Sequence, residues 1–236
     1  MGATGSFGLA APQWHDPMNV LLFGTTGMVG QGALRECILD PSVKKILSIV
    51  RTASGLRHAK LRELTHKDFF DLSSIENQLA GYDACLFCLV VSSAGMKEPE
   101  YRHLTYDLTL AVAEPLARLN PNMTFIYVSG MGTDSSERGR SMWARVKGKT
   151  ENALLRLPFK RAYMFRPGVI VPKNGVRSKT RLYRLMYTLM TPVLPFLRAV
   201  FPKYIITTEQ LGRAMIKVAK QGAPKPVLEA RDINKV

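Results

Sequence analysis

The feature that most constrains this chain is a short apolar run, Asn19 to Phe23. It opens directly into Gly24-Thr25-Thr26-Gly27-Met28-Val29-Gly30 and continues with helix-forming residues to Leu39, where Asp40-Pro41 stops the helix. Strand, glycine turn and helix in that order build a phosphate-binding turn. The glycines permit a tight turn, let the backbone approach a pyrophosphate and let the helix pack closely on the strand. Gly24, Gly27 and Gly30 supply these three needs, with Thr26, Met28 and Val29 as the contacts between them. Gly2, Gly5 and Gly8 repeat the spacing near the N-terminus. No strand can precede that copy, and only the second copy has the context that gives the pattern meaning.

Further apolar runs follow at Lys45–Val50, Asp83–Val91, Met123–Val128 and Ala162–Phe165, with helical patterns between them. Leu104–Leu119 has helical spacing but contains Pro115, which predicts a kink or an early end. Trp143–Leu157 reads as the next helix, and Thr208–Lys220 as a later one capped by Thr207 or Thr208. Strands alternating with helices of this length imply parallel pairing through right-handed crossovers. The expected fold is a doubly wound parallel α/β sheet of the Rossmann type, in a single domain, with ligands at the carboxyl ends of its strands. At 236 residues the chain suits one core. Residues 1–17 are set aside as a flexible arm or an appended remnant. Residues 18–220 form the domain, with a small helical substrate cap at about 172–207, and 221–236 read as a frayed tail.

The formal net charge of +15 points to an anionic partner, such as a phosphorylated cofactor or a membrane surface. The basic residues are scattered and no zinc-finger or aromatic RNA-binding motif occurs, which argues against nucleic acid. Cys85 and Cys88 are spaced CxxC within a strand, where i and i+3 point to opposite faces, and the four histidines lack ligand spacing, so no metal site is expected. The first residues lack a secretory pattern, from which a cytoplasmic protein is expected.

The second strand ends at Arg51, about twenty residues past Gly30, where an NAD-preferring fold places an acidic residue against the ribose 2′-hydroxyl. A guanidinium suits a 2′-phosphate through paired hydrogen bonds, so NADP(H) is favoured and NAD(H) is the alternative. Asp68, with Phe69, falls where the chain returns after a short third strand, and a carboxylate there could accept a bond from the adenine amino group.

The glycine turn, Arg51, Ser129-Gly130, Trp143-Ala-Arg-Val-Lys147 and Arg166-Pro167-Gly168 occur in an order that resembles the short-chain dehydrogenase/reductase superfamily. The similarity is to its atypical branch, with epimerase-like and Tat-interacting-protein-like members, and spans about residues 19–220. It implies that Ser129 orients a substrate oxygen and that Lys147 holds the nicotinamide ribose. Leu89 and Val90, within Leu89–Gly95, would flank that ribose, and Pro167, Gly168 and Val169 would lie along the carboxamide. The position of the superfamily's proton-donating tyrosine is Trp143, and an indole donates a hydrogen bond without exchanging a proton. Three readings stay open: another acid serves, such as Tyr106, Ser129 or a water; the protein binds the cofactor without turnover; or Trp143 shapes a pocket for other chemistry.

Leu185–Leu197 is an uncharged run broken by Pro192 and Pro195 and framed by Arg181, Arg184 and Arg198. It is too short to span a bilayer. It suits a substrate cleft over the cofactor domain, or peripheral membrane contact through 177–203, and in either case an apolar small-molecule substrate. The functional expectation is an NADP(H)-dependent oxidoreductase or epimerase-like enzyme on a small or apolar carbonyl or alcohol. The alternative is a dinucleotide-sensing regulator or scaffold.

Overall fold

The computed structural model describes residues 17–175 and 202–236. Seven strands form one sheet in the order β3-β2-β1-β4-β5-β6-β9, and every neighbouring pair is parallel. They are β1 (Met18–Phe23), β2 (Val43–Val50), β3 (Leu61–Thr65), β4 (Ala84–Phe87), β5 (Thr124–Val128), β6 (Arg161–Arg166) and β9 (Val227–Glu229). Two short strands outside it, β7 (Val169–Val171) and β8 (Ile205–Thr207), pair with each other in parallel. The chain leaves β1 towards β2 on one side and reaches β4 on the other, so the strand order reverses between β1 and β4. A crevice opens at such a point in a doubly wound sheet.

The central strands β1, β4 and β5 are buried on both faces, as parallel strands covered by helices must be, while edge strand β3 is partly exposed. Val20 and Leu22 of β1 point into one layer with Ala33, Leu34, Leu211 and Met215. Leu21 and Phe23 point into the other with Val112, Leu116 and Phe125. The first layer is closed by α1 (Met28–Leu39) and α5 (Thr208–Gln221), the second by α3 (Leu108–Leu119). Helices α1 and α5 cross at two glycines. A Cβ on Gly32 would lie 2.7 Å from the Thr208 Cβ, and one on Gly212 would lie 2.9 Å from the Glu36 Cγ. At that crossing the buried Glu36 carboxylate accepts from Arg213 Nε at 2.9 Å and from Arg35, so the charge enters the interface paired. Thr207 caps α5: its hydroxyl accepts from Gln210 N at 3.1 Å while the Gln210 side chain accepts from Thr207 N at 3.0 Å.

Several sequence expectations change in detail. The segment expected to fray after residue 220 supplies β9 and a short helix, α6 (Ala230–Ile233), with Leu228 and Ile233 buried. A three-residue strand between Pro226 and Ala230 is too brief to show periodicity. Strand β4 stops at Phe87 rather than Val91. Chain 98–119 runs as α2 (Glu98–Arg102), a π turn (His103–Asp107) and α3, and it continues through Pro115 to Leu119 instead of ending early. Helix α4 covers Met142–Leu154. The expected cap at about 172–207 and the membrane-contact stretch 177–203 fall mostly on residues 176–201, outside the described residues. No helix among the described residues is long and apolar enough to cross a membrane.

Candidate functional site

The glycine turn earns its residues one at a time. Gly24 has φ +83°, and a Cβ there would sit 2.6 Å from the Cys88 carbonyl carbon, so β1 can lie against β4 at the switch point only with glycine. A Cβ on Gly30 would lie 2.1 Å from the Gly24 carbonyl oxygen, so helix α1 can press on the turn only with glycine there. Gly27 differs: its φ is −86° and a Cβ would have only ordinary contact, 3.4 Å from Gly24 O. It is the N-cap of α1, with no side-chain cap and no acidic residue in the first turn. The backbone N–H groups that open α1, those of Met28, Val29 and Gly30, have no intrahelical acceptor and stand at the positive end of the helix dipole.

Beside this turn lies a cavity of about 840 Å³. Gly24, Thr25, Thr26 and Gln31 line it on the α1 side, and Arg51, Thr52, Ser54 and Leu56 on the side of the loop after β2, with Phe69 and Leu89 completing the wall. Thr25 Oγ1 and Ser48 Oγ lie 2.8 Å apart and fasten the turn to β2 in the core. Gln31 Nε2 donates to Thr26 O at 3.1 Å, which holds the turn from the helix side. The loop carrying Arg51 is tied to β3, because Ser54 N and Oγ donate to the Glu63 carboxylate at 2.9 and 2.7 Å. The Arg51 side chain is exposed on this wall.

Asp68 does not belong to that wall. Its exposed carboxylate accepts from Phe70 N at 2.9 Å, closing a turn of its own, and the neighbouring Phe69 faces the cavity instead. Sequence reasoning placed the pair by counting along the chain; a local side-chain bond decides which of the two points inward. Thr25, Gln31 and the residues 52–56 were not singled out in the sequence. Only the position of Thr25 inside the glycine motif could have signalled any of them.

The remaining candidates gather at the carboxyl ends of β4, β5 and β6. Ser129 follows β5 and its N–H donates to Phe165 O at 2.7 Å. Its hydroxyl lies 2.8 Å from that of Thr133, which donates to Gly130 O at 2.8 Å. A threonine has one hydroxyl proton, so the arrangement that satisfies both bonds has Ser129 donating to Thr133 and keeping its lone pairs for a ligand. Nothing in the sequence marks Thr133, four residues on from Ser129.

Lys147, on α4, is buried with its Nζ 5.7 Å from the centroid of the Tyr127 ring. Burial pulls its pKa down to about 8, against the opposing charge of Glu151 one turn later. Glu151 itself is held by Arg166, whose Nε donates to both carboxylate oxygens at 3.0 and 3.1 Å while Nη1 reaches Glu229 at 2.9 Å. Arg166 of the Arg-Pro-Gly segment therefore braces β6, α4 and β9. Trp143 is half-buried, and a Cβ on Gly132 would lie 3.5 Å from its ring atom Cη2, so the indole lies along the loop that follows Ser129. Pro167 O accepts from Met131 N at 3.0 Å, Gly168 is pressed against the Tyr204 carbonyl, and Val169 is partly exposed in β7. Val90 stands exposed just beyond the cavity wall at Leu89. Tyr106 lies elsewhere in character, its ring flanked by Arg102 and Lys149 at 5.5 and 5.1 Å. Cys85 and Cys88 are buried in different core layers, with burial raising both thiols, Cys88 to about 12.

Solved structures with this fold include a UDP-N-acetylglucosamine 4-epimerase from Methanobrevibacter ruminantium M1. It has a TM-score of 0.66 at 15% identity over 91% of this chain and 76% of that one. The Bordetella bronchiseptica enzyme WbmF, solved with NAD+ and UDP, gives 0.65 at 14% identity over 93% and 76%. L-sorbose reductase from Gluconobacter frateurii, solved with NADPH and L-sorbose, gives 0.60 at 10% over 94% and 98%. These likenesses show a shared fold, a Rossmann-type doubly wound parallel α/β sheet in a single domain. No family model matches the chain.

Among curated proteins, "Protein fmp52, mitochondrial" of Emericella nidulans is 31% identical over 170 residues, covering 69% of this chain and 70% of the relative. "Protein FMP52, mitochondrial" of Eremothecium gossypii is 29% identical over 164 residues, 69% and 70% of the two chains. The Meyerozyma guilliermondii protein is 23% identical over 232 residues, 92% and 94%. Their names overturn the expectation of a cytoplasmic protein, because the lack of a secretory pattern selects no address. On the strength of the Emericella nidulans match, the chain belongs to the FMP52 family.

Proposed function

We propose that the protein binds NADP(H), with NAD(H) the weaker alternative, and acts as an oxidoreductase or epimerase-like enzyme on an alcohol or carbonyl compound. One observation carries the reading. A turn in which Gly24 and Gly30 leave no room for a Cβ opens an uncapped helix start onto a cavity of about 840 Å³ walled by Arg51. That donor set fits a dinucleotide: backbone N–H groups and a helix dipole for the pyrophosphate, a guanidinium for a 2′-phosphate and an aromatic wall at Phe69 for the base. Leu89, Val90 and the Pro167–Val169 segment would border the nicotinamide end, with Lys147 on its ribose. When bound, the nicotinamide ring supplies or takes up a hydride.

The chain's own groups do the rest. Ser129, its own proton committed to Thr133, accepts from the substrate hydroxyl. Lys147, with a pKa near 8, can hold or release a proton close to neutral pH. A thermal-shift panel tests the binding. Stabilisation by NADP(H) above NAD(H) is expected, no stabilisation by either would refute the reading, and equal stabilisation would remove the role given to Arg51. The relatives' names support a mitochondrial location for this chain, which fractionation of expressing cells tests.

Trp143 favours a second reading, a protein that senses the dinucleotide without turning it over. A Trp143→Tyr variant separates the two. Gained consumption of NADPH in a carbonyl screen indicates an otherwise complete site. An inactive variant with unchanged cofactor affinity supports sensing.

A further inference from the structure

Large apolar side chains left in water are informative when they gather. Five of the nine such side chains among the described residues sit at the carboxyl end of the sheet: Val90, Val91, Met131, Val169 and Tyr204, each between 36% and 49% exposed. Three of them are joined by backbone. Met131 N donates to Pro167 O at 3.0 Å, Gly168 lies so close to Tyr204 that a Cβ would fall 2.3 Å from its carbonyl oxygen, and Val169 pairs with Ile205 in the β7–β8 ladder. The face they form begins two residues from Ser129. Trp143 extends it, with its ring against Gly132. On the other side it meets the cofactor cavity, because Leu89 lines that cavity and Val90 is the next residue outward.

We infer that the substrate of this site is a hydrocarbon-bodied alcohol and carbonyl pair, its chain laid on Met131, Val169 and Tyr204 and its oxygen at Ser129. The inference rests on the dinucleotide reading above for the chemistry, but not for the contact. A polar substrate such as a sugar would leave these side chains unused and its own hydroxyls without partners there, at a cost for each unmade bond. A hydrocarbon chain gains with every methylene it removes from water.

The test uses the full chain and three probes, 1-butanol, 1-hexanol and 1-octanol, titrated with and without NADP+ into the parent protein and a variant carrying Met131→Ser with Tyr204→Ser. In the parent, affinity should rise about two- to fourfold per methylene, and in the variant that slope should fall below half. Val169→Thr, which keeps shape and strand propensity, gives an independent measure of the same slope. Equal affinity for the three alcohols in the parent overturns the inference. So does an unchanged slope in both variants, which would mean that the chain's own residues 176–201 or another surface take up the probes. NADPH stabilisation measured on the same samples keeps the two claims apart. Stabilisation with a flat slope refutes the substrate class alone, whereas a steep slope without stabilisation refutes the cofactor reading and leaves the apolar contact standing.

Discussion

Lys147 stores a cost that the ligand-free protein carries in its fold. Its folded-state pKa of about 8 lies below the 10.5 of a free lysine, chiefly through burial. The unfolded chain therefore binds more protons between those values, and stability rises with pH across that window. Below about pH 8 the penalty is fully present. Lys147→Met should then stabilise the ligand-free protein at pH 7 by on the order of 2 kcal/mol, a gain that shrinks towards pH 10, read as the difference in Tm between variant and parent. At Ser129 the direction of one proton matters. Thr133→Val removes the acceptor for the Ser129 hydroxyl and frees it to donate, so binding of 2-octanone relative to 2-octanol should rise about three- to tenfold, while Thr133→Ser changes little. The sequence could show a serine at a strand end but not which of its hydrogen-bonding roles is already taken. Asp68 teaches the same lesson, since a bond to Phe70 N turns it away from the cavity that Phe69 enters.

Among the elements, the pairing of α1 with α5 decides how tightly one face of the sheet is closed. Gly212→Val would push a branched side chain into the Glu36 stem and the Gly32 carbonyl, which stand 2.9 and 3.1 Å from a bare Cβ. Denaturant unfolding should show a loss of about 1–3 kcal/mol, with the helix content of the folded state retained. Thr207→Ala removes half of the capping box on α5 and should cost about 1 kcal/mol in the same assay. The sequence narrowed that cap to Thr207 or Thr208, because both stand at the start of a periodic apolar run, and the capping box selects Thr207. Strand β9 was not: three residues carry no period, and its place beside β6 is fixed by distant partners, the Glu229 carboxylate on Arg166 and the Pro226 carbonyl on Met164 N. The apolar run ending at Val91 overstated β4, because Val90 and Val91 serve the exposed strand end rather than the ladder.

At the scale of the whole molecule, the doubly wound parallel sheet follows from the alternation of apolar runs and helices, and its strand order puts the glycine turn, Arg51 and Ser129 at the carboxyl end of one sheet, with Lys147 on the neighbouring helix α4. The expectation of a cytoplasmic protein did not follow from such patterns, and relatives named mitochondrial contradict it. Whether the carboxyl end of the sheet binds a dinucleotide is tested most directly at Gly27. An aspartate there meets no backbone clash, sits at a favourable N-cap and puts a negative charge where a pyrophosphate would lie. Isothermal titration of NADPH into the parent and Gly27→Asp, with Tm recorded for both, should show binding by the parent and a loss of at least about 100-fold in a variant that is equally stable. Absence of NADPH binding in the parent, or equal affinity in the two proteins, would contradict the account.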